Sequence, residues 1–172
     1  MAKTTAKNTP RATTQTTRIA GAKVRLVTSA TGKVTVKPAP IDEWELQAAA
    51  VRALRALPSY ADNVEKLGAN GFTIAADMNA ARRSRNESAK AKATGIAAGD
   101  PDLRVYASGA RLLLIEYKGE EGVLTASQKI RHPLLRALGY TLVVIQAKTK
   151  EECAAASVEL VLGWLAEAKD AA

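Results

Sequence analysis

One cysteine and one histidine in 172 residues remove two large classes of chemistry before any motif is considered. The lone Cys153 excludes an internal disulfide framework and a cysteine-cluster zinc site, and its place in an expected helix reads as packing. The lone His132 excludes multi-histidine metal chemistry. A metal here would be held mainly by oxygen ligands, which favours Mg²⁺ or Mn²⁺ over zinc. No apolar run is long enough to span a bilayer. The N-terminus has no hydrophobic signal-peptide core, so the expected location is the cytoplasm or nucleoplasm.

Acidic side chains are missing from the first forty residues. That stretch holds Lys3, Lys7, Arg11, Arg18, Lys23, Arg25, Lys33 and Lys37, while the remaining 17 basic and 17 acidic residues balance. The whole net charge of +8 therefore sits in the leader. Its Thr/Ala/Lys/Pro-rich opening, to about Ala22, reads as disordered, and a flexible basic arm would attract nucleic acid non-specifically. An incidental solubilising tail is the alternative. Within the leader, residues 23–27 and 33–37 alternate about Thr31-Gly32 and predict a short hairpin at 23–37. A dimer contact and a DNA contact are equally open roles for it.

The rest, 41–168, is long enough for one domain with a real core. Asp42 to Leu57 reads as a helix, with Asp42 as N-cap, Glu43 and Glu45 in the first turn, and an apolar stripe Leu46, Ala50, Leu54, Leu57. Pro58 stops it, and 61–69 offers a further helical turn or two. Residues 72–80 form a strand candidate of weak alternation. Residues 81–95 are polar and basic, either a loop or a solvated helix. DLRVYA and ARLLLIEYK are strands split by Ser108-Gly109. Thr125 to Leu138 is a helix ended by Gly139, YTLVVIQA a buried strand, and Lys150 to Ala168 a last amphipathic helix. The order α-β-β-β-α-β-α predicts an α/β fold, a mixed β-sheet flanked by helices.

Chemistry concentrates in GDPDLRVYASGARLLLIEYKGEEG. Strand alternation points Glu116 and Lys118 to one face and Tyr117 to the other. If the two strands pair antiparallel, Asp102 comes near them. Two carboxylates and an ammonium at a sheet end suit a divalent cation held against a phosphate. Asp102 and Glu116 would be the principal ligands, the Tyr117 backbone carbonyl a third, and Glu43 or Glu45 a further acid. Lys118 would activate water or stabilise the transition state. A plain Glu116–Lys118 salt bridge on a solvated face is the alternative. Gln128, on the first turn of the next helix, could hold the water or a phosphate, and His132 one turn later could face the same cleft or simply pack. Arg82, Arg83, Arg85, Lys90 and Lys92 would contact phosphates.

These motifs resemble those of the VRR-NUC family, a branch of the PD-(D/E)xK nucleases. Pro101-Asp102 resembles the PD element and Glu116-Tyr117-Lys118 the ExK element. Gly95 to Asp102 resembles the family's glycine-rich approach, and Gly122 to Gln128 its Gly-x-Leu-Ser/Thr-x-x-Gln element, with Thr125 at the capping position. The family's first-helix glutamate and glutamine fall on Glu43 and Gln47, with Glu45 as the alternative register, and its asparagine before the basic loop falls on Asn79. The resemblance covers about 42–166. It implies a restriction-endonuclease-like core and a Mg²⁺-dependent endonuclease acting on flaps or four-way junctions. It also implies a stand-alone phage or bacterial type working as a homodimer, in the host cytoplasm if phage-encoded. A sequence-specific restriction-like enzyme and a non-catalytic nucleic-acid-binding protein are the competing functions, and RNA is not distinguished from DNA.

Overall fold

The computed structural model describes residues 11–76 and 85–167. The chain divides into two compact units, Met1–Pro40 and Ile41–Ala172. Among the described residues no helix is long and apolar enough to cross a membrane.

The first unit is a three-stranded antiparallel sheet in the order β1-β2-β3, with β1 Thr13–Ile19, β2 Ala22–Thr28 and β3 Val34–Pro38. The hairpin expected at 23–37 is its β2–β3 half. The stretch before it is a correction: disorder was expected to about Ala22, yet Thr13–Ile19 pairs with β2 along its whole length. Threonine is β-branched and favours strands, so Thr13, Thr14, Thr16 and Thr17 override a composition that looks like low complexity. The turn helps as well. Ala20 and Gly21 both have positive φ, 49° and 83°, as a tight two-residue hairpin loop requires. The remainder of the expected arm, residues 1–10, lies outside the described residues.

The second unit holds a four-stranded sheet in the order β4-β5-β6-β7: β4 Phe72–Ala76, β5 Leu103–Ala107, β6 Arg111–Gly119 and β7 Thr141–Ala147. β4, β5 and β6 run antiparallel, and β7 joins β6 in parallel. A parallel partner needs a crossover, and α3 (Ala126–Ala137) supplies it. α1 (Glu43–Arg55) precedes the sheet, α4 (Lys150–Ala166) ends it, and α2 (Arg85–Ala93) is the helical form of the basic stretch. A 3-10 turn at Val64–Lys66 accounts for the further helical turn after α1. The result is a mixed α/β fold, a multi-strand sheet flanked by helices.

Alternation along β6 divides the interior. Leu113, Ile115 and Tyr117 join Leu46, Ala50 and Leu54 of α1 and Val161, Trp164 and Leu165 of α4 in the main core. Leu112 and Leu114, on the opposite face, pack with Leu135 of α3 and Leu142. Cys153 is buried in the main core, and burial pushes its thiol up to about 11, so it is an inert packing residue. The Ser157 hydroxyl donates to the Tyr117 hydroxyl at 3.3 Å, anchoring that side of β6 to α4.

Leu54 is fully buried at this interface. Leu54→Ala should lower unfolding free energy in urea by about 2–5 kcal/mol. Ile130→Ala, on the exposed side of α3, should stay within about 0.5 kcal/mol. Equal effects would contradict this placement of the core.

Candidate functional site

Asp102 stands one residue before β5, whose first pair is Leu103 opposite Ile115. Continuing that register brings Asp102 to the level of Glu116. Its Oδ2 accepts the Tyr117 backbone N–H at 2.9 Å, capping the edge of β6 just before β5 begins. From the other side, Gln47 Nε2 donates to the Asp102 main-chain carbonyl at 2.9 Å. Asp102 is thus held through both its side chain and its backbone. The Tyr117 carbonyl shares an edge with its N–H and lies beyond the β5 ladder, on the Asp102 side.

At the far end of β6, Glu116 and Lys118 share the face opposite Tyr117. Glu116 and Lys118 are 0% and 3% exposed. Lys118 Nζ lies 2.8 Å from Glu116 Oε1 and 3.0 Å from Glu43 Oε2, bridging the end of β6 to the start of α1. Gln128 Nε2 also donates to Glu116 Oε1. Its side-chain oxygen accepts the Thr125 N–H at 2.9 Å, while Thr125 Oγ1 accepts the Gln128 N–H at 3.3 Å. This capping box positions the glutamine and starts α3 in the same set of bonds.

One cavity of about 720 Å³ is lined by Glu43, Asp102, Glu116, Lys118 and Gln128, with Lys92 of α2 on its wall. All five residues expected to carry the chemistry meet there. The fallback Glu45 does not: it accepts the Asp42 N–H at 3.4 Å and pairs with Lys150 of α4 at 2.8 Å. Gln47, one turn after Glu43, reaches Asp102. Lys90 is exposed on α2 and is absent from the cavity wall. Asn79, Arg82 and Arg83 lie outside the described residues, as does the Arg85 side chain.

His132 is fully buried, its Nε2 3.6 Å from Glu116 Oε2, and neither ring nitrogen has a hydrogen-bond partner among the described residues. Burial, with Arg136 and Lys118 nearby, lowers its pKa and keeps it neutral. His132 is absent from the cavity wall and packs, the second of its two expected places, although its position one turn after Gln128 brings it to Glu116. Arg131, on the same helical face, was missed. Its Nε donates to Asp100 at 2.6 Å, and Arg104 donates to the same carboxylate at 2.8 Å, pinning the loop before Asp102 to α3.

Burial dominates the electrostatics of the site. Burial raises the Glu116 carboxyl to about 7, with Asp102 and Glu43 adding to the rise against the opposing Lys118. Burial also raises Asp102, outweighing its bond from Tyr117. Burial pulls Lys118 down, but its bonds to Glu116 and Glu43 dominate and leave the amine above its ordinary value. Lys118 is therefore a firm cation at neutral pH. Glu116 Oε2 is buried without a hydrogen-bond partner. Among the described residues no group of three or more His, Cys, Asp or Glu side chains is placed to hold a metal ion. The available donors are Asp102, Glu116 and the Tyr117 carbonyl, with Glu43 committed to Lys118. This all-oxygen, partial set fits an ion that keeps several of its own waters, as Mg²⁺ does.

Gly99 closes the geometry. Its φ is +84°, and a Cβ there would lie 2.5 Å from the Ser127 carbonyl carbon in the first turn of α3. Gly99→Ala should destabilise the chain by roughly 1–3 kcal/mol in urea. Gly95→Ala, also at positive φ but facing open space, should lose less. A pH effect follows from Glu116. Its proton is held more tightly in the folded chain (about 7) than at the ordinary 4.5, so this group withdraws stability as pH rises between those values. Without divalent ions, Glu116→Gln should melt higher than wild type above pH 7, and the gap should shrink as pH falls towards 4.5. A gap independent of pH would overturn this account of the buried carboxylate. Comparison of the chain with protein-family models, with curated proteins and with solved structures gave no match, so the geometry of this cavity carries the functional reading.

Proposed function

We propose that this chain is a divalent-metal-dependent DNA endonuclease of the PD-(D/E)xK type, with a restriction-endonuclease-like core and selectivity for branched DNA. The observation that carries the reading is the convergence of Asp102 and Glu116, beside Lys118 and Gln128, in one cavity. Burying such charges is expensive, and a purely structural pair would be replaced by apolar side chains without loss. An unpartnered carboxylate oxygen next to a second raised carboxyl is a place for a cation.

Asp102, Glu116 and the Tyr117 carbonyl would hold Mg²⁺ or Mn²⁺. Such an ion supplies Lewis-acid polarisation of a phosphoryl oxygen and lowers the pKa of water. The chain's own groups do the rest. Lys118, kept protonated by its two glutamates, offers positive charge to the phosphate as negative charge develops on it, and as a firm cation it is not the base. Glu43 orients the Lys118 amine from α1. Gln128 orients Glu116 through the bond from its amide nitrogen. Lys92 on the cavity wall is placed to meet an adjacent phosphate. A homodimer would put two such sites across a junction, as paired cuts require.

The test is incubation of the purified chain with labelled four-way junction, flap, linear duplex and matching RNA, in Mg²⁺, Mn²⁺ or chelator. Metal-dependent cleavage of branched DNA is expected, reduced at least about 100-fold by Glu116→Gln and by Lys118→Met, with DNA binding retained in Glu116→Gln. Binding without cleavage of any substrate would favour the non-catalytic reading. Cleavage unchanged by both substitutions would remove the site.

A further inference from the structure

Four carboxyl side chains, Glu43, Asp100, Asp102 and Glu116, line the cavity beside two amines, Lys92 and Lys118. Lys118 is bonded to two of those acids. A DNA strand lying across the cavity therefore gains from cations at the cavity edge, where the phosphates flanking the one to be cut would rest. Arg131 stands at such an edge. Ser127 and Gln128, in the first turn of α3, line the cavity, and Arg131 follows one turn of about 5.4 Å further along the same side of the helix.

Arg131 is paired, but only in part. Asp100 accepts from Arg131 Nε at 2.6 Å and from Arg104 at 2.8 Å, so one carboxylate serves two guanidinium groups. The bond uses Arg131 Nε alone. Its terminal nitrogens, Nη1 and Nη2, carry no hydrogen bond among the described residues and are not buried, and 31% of the side chain is exposed. Asp100 thus fixes the guanidinium at one nitrogen and leaves its end open.

We propose that Arg131 is a substrate-binding residue of the endonuclease, gripping through its terminal nitrogens a phosphate that adjoins the one to be cut. The inference rests on the endonuclease reading of the site, although the contact forms on binding and does not need the hydrolytic step. A guanidinium offers donors along more than one edge, so it can hold Asp100 with one and phosphate oxygens with another. Prior fixing by Asp100 lowers the entropy lost when the phosphate arrives. A lysine ammonium here would serve one anion well, not both. The other role for Arg131 is a bolt that fastens the loop before Asp102 to α3 and does nothing more. Asp100 separates the two. For a bolt, loss of either partner has the same effect. For a phosphate contact, Asp100→Asn keeps the cation, keeps an oxygen to accept the Nε–H, and removes a negative charge from the path of the DNA.

The full-length chain, in chelator so that no strand is cut, would be titrated against a fluorescent four-way junction over a range of NaCl concentrations, with a thermal melt of each variant. Arg131→Gln should bind about 3- to 10-fold more weakly and flatten the slope of log K against log salt by roughly 0.9, the share of one phosphate contact. Asp100→Asn should bind at least as tightly as wild type. Lys66→Gln, at a surface ion pair away from the cavity, should change the slope by less than about 0.3. Arg131→Lys should keep most of the slope and lose about threefold in affinity. In Mg²⁺, Arg131→Gln should raise KM for the junction with kcat within about twofold. An unchanged slope in folded Arg131→Gln, an equal loss in Asp100→Asn, or an equal change in Lys66→Gln would each overturn the proposal. Should Arg131→Gln not fold, Arg131→Lys decides, and affinity equal to wild type overturns it. Binding without cleavage, with the slope flattened, upholds the Arg131 contact and counts against the endonuclease reading. Cleavage with the slope unchanged counts against Arg131 alone, and a wild type that binds no DNA overturns both.

Discussion

The Asp102 carboxylate, in accepting the Tyr117 N–H, joins the loop before β5 to the end of β6. Most of the site's order follows from that bond. It places one acid beside another at the point where the antiparallel ladder stops. It also leaves the next stretch of β6 edge facing the cavity rather than a neighbouring strand. Gln47 holds the same residue by its carbonyl, so α1 and the sheet agree on where Asp102 stands.

Strand β6 serves two purposes at once, and its period of two makes this possible. Leu113, Ile115 and Tyr117 are sealed against α1 and α4, which fixes the strand rigidly. Glu116 and Lys118 stand on the opposite face of the same strand, two ionisable groups with almost no exposed surface. Lys118 is satisfied by two glutamates; Glu116 is only half satisfied. Stability alone does not explain this imbalance, and the cation site proposed above would account for it.

α3 is the second support. Thr125 and Gln128 cap the helix and in the same bonds aim the glutamine at Glu116. Gly99 lets the preceding loop press against that first turn, and Asp100 is clamped by Arg104 and Arg131. Loop, helix and strand are thus tied at several points around one cavity, and the side chains facing it need little rearrangement to act together.

Much was legible from the chain alone. Alternation set Glu116 and Lys118 on one face, Thr125 and Gly139 bracketed α3, and the apolar stripe of α1 predicted its buried side, because these signals depend only on local backbone periodicity and capping. The β1 strand was hidden, since threonine-rich sequence reads as disorder until a partner strand exists to pair with it. The choice of Glu43 over Glu45, the grip of Gln47 on Asp102 and the burial of His132 against Glu116 came only from tertiary packing. A helix presents several faces at almost equal local energy, and only the sheet it packs against decides which side chains meet. Arg131 is a mixed case: its place one turn after Gln128 is plain in the sequence, but its bond to Asp100 depends on how α3 meets the loop before β5, a long-range property that no short window of residues contains.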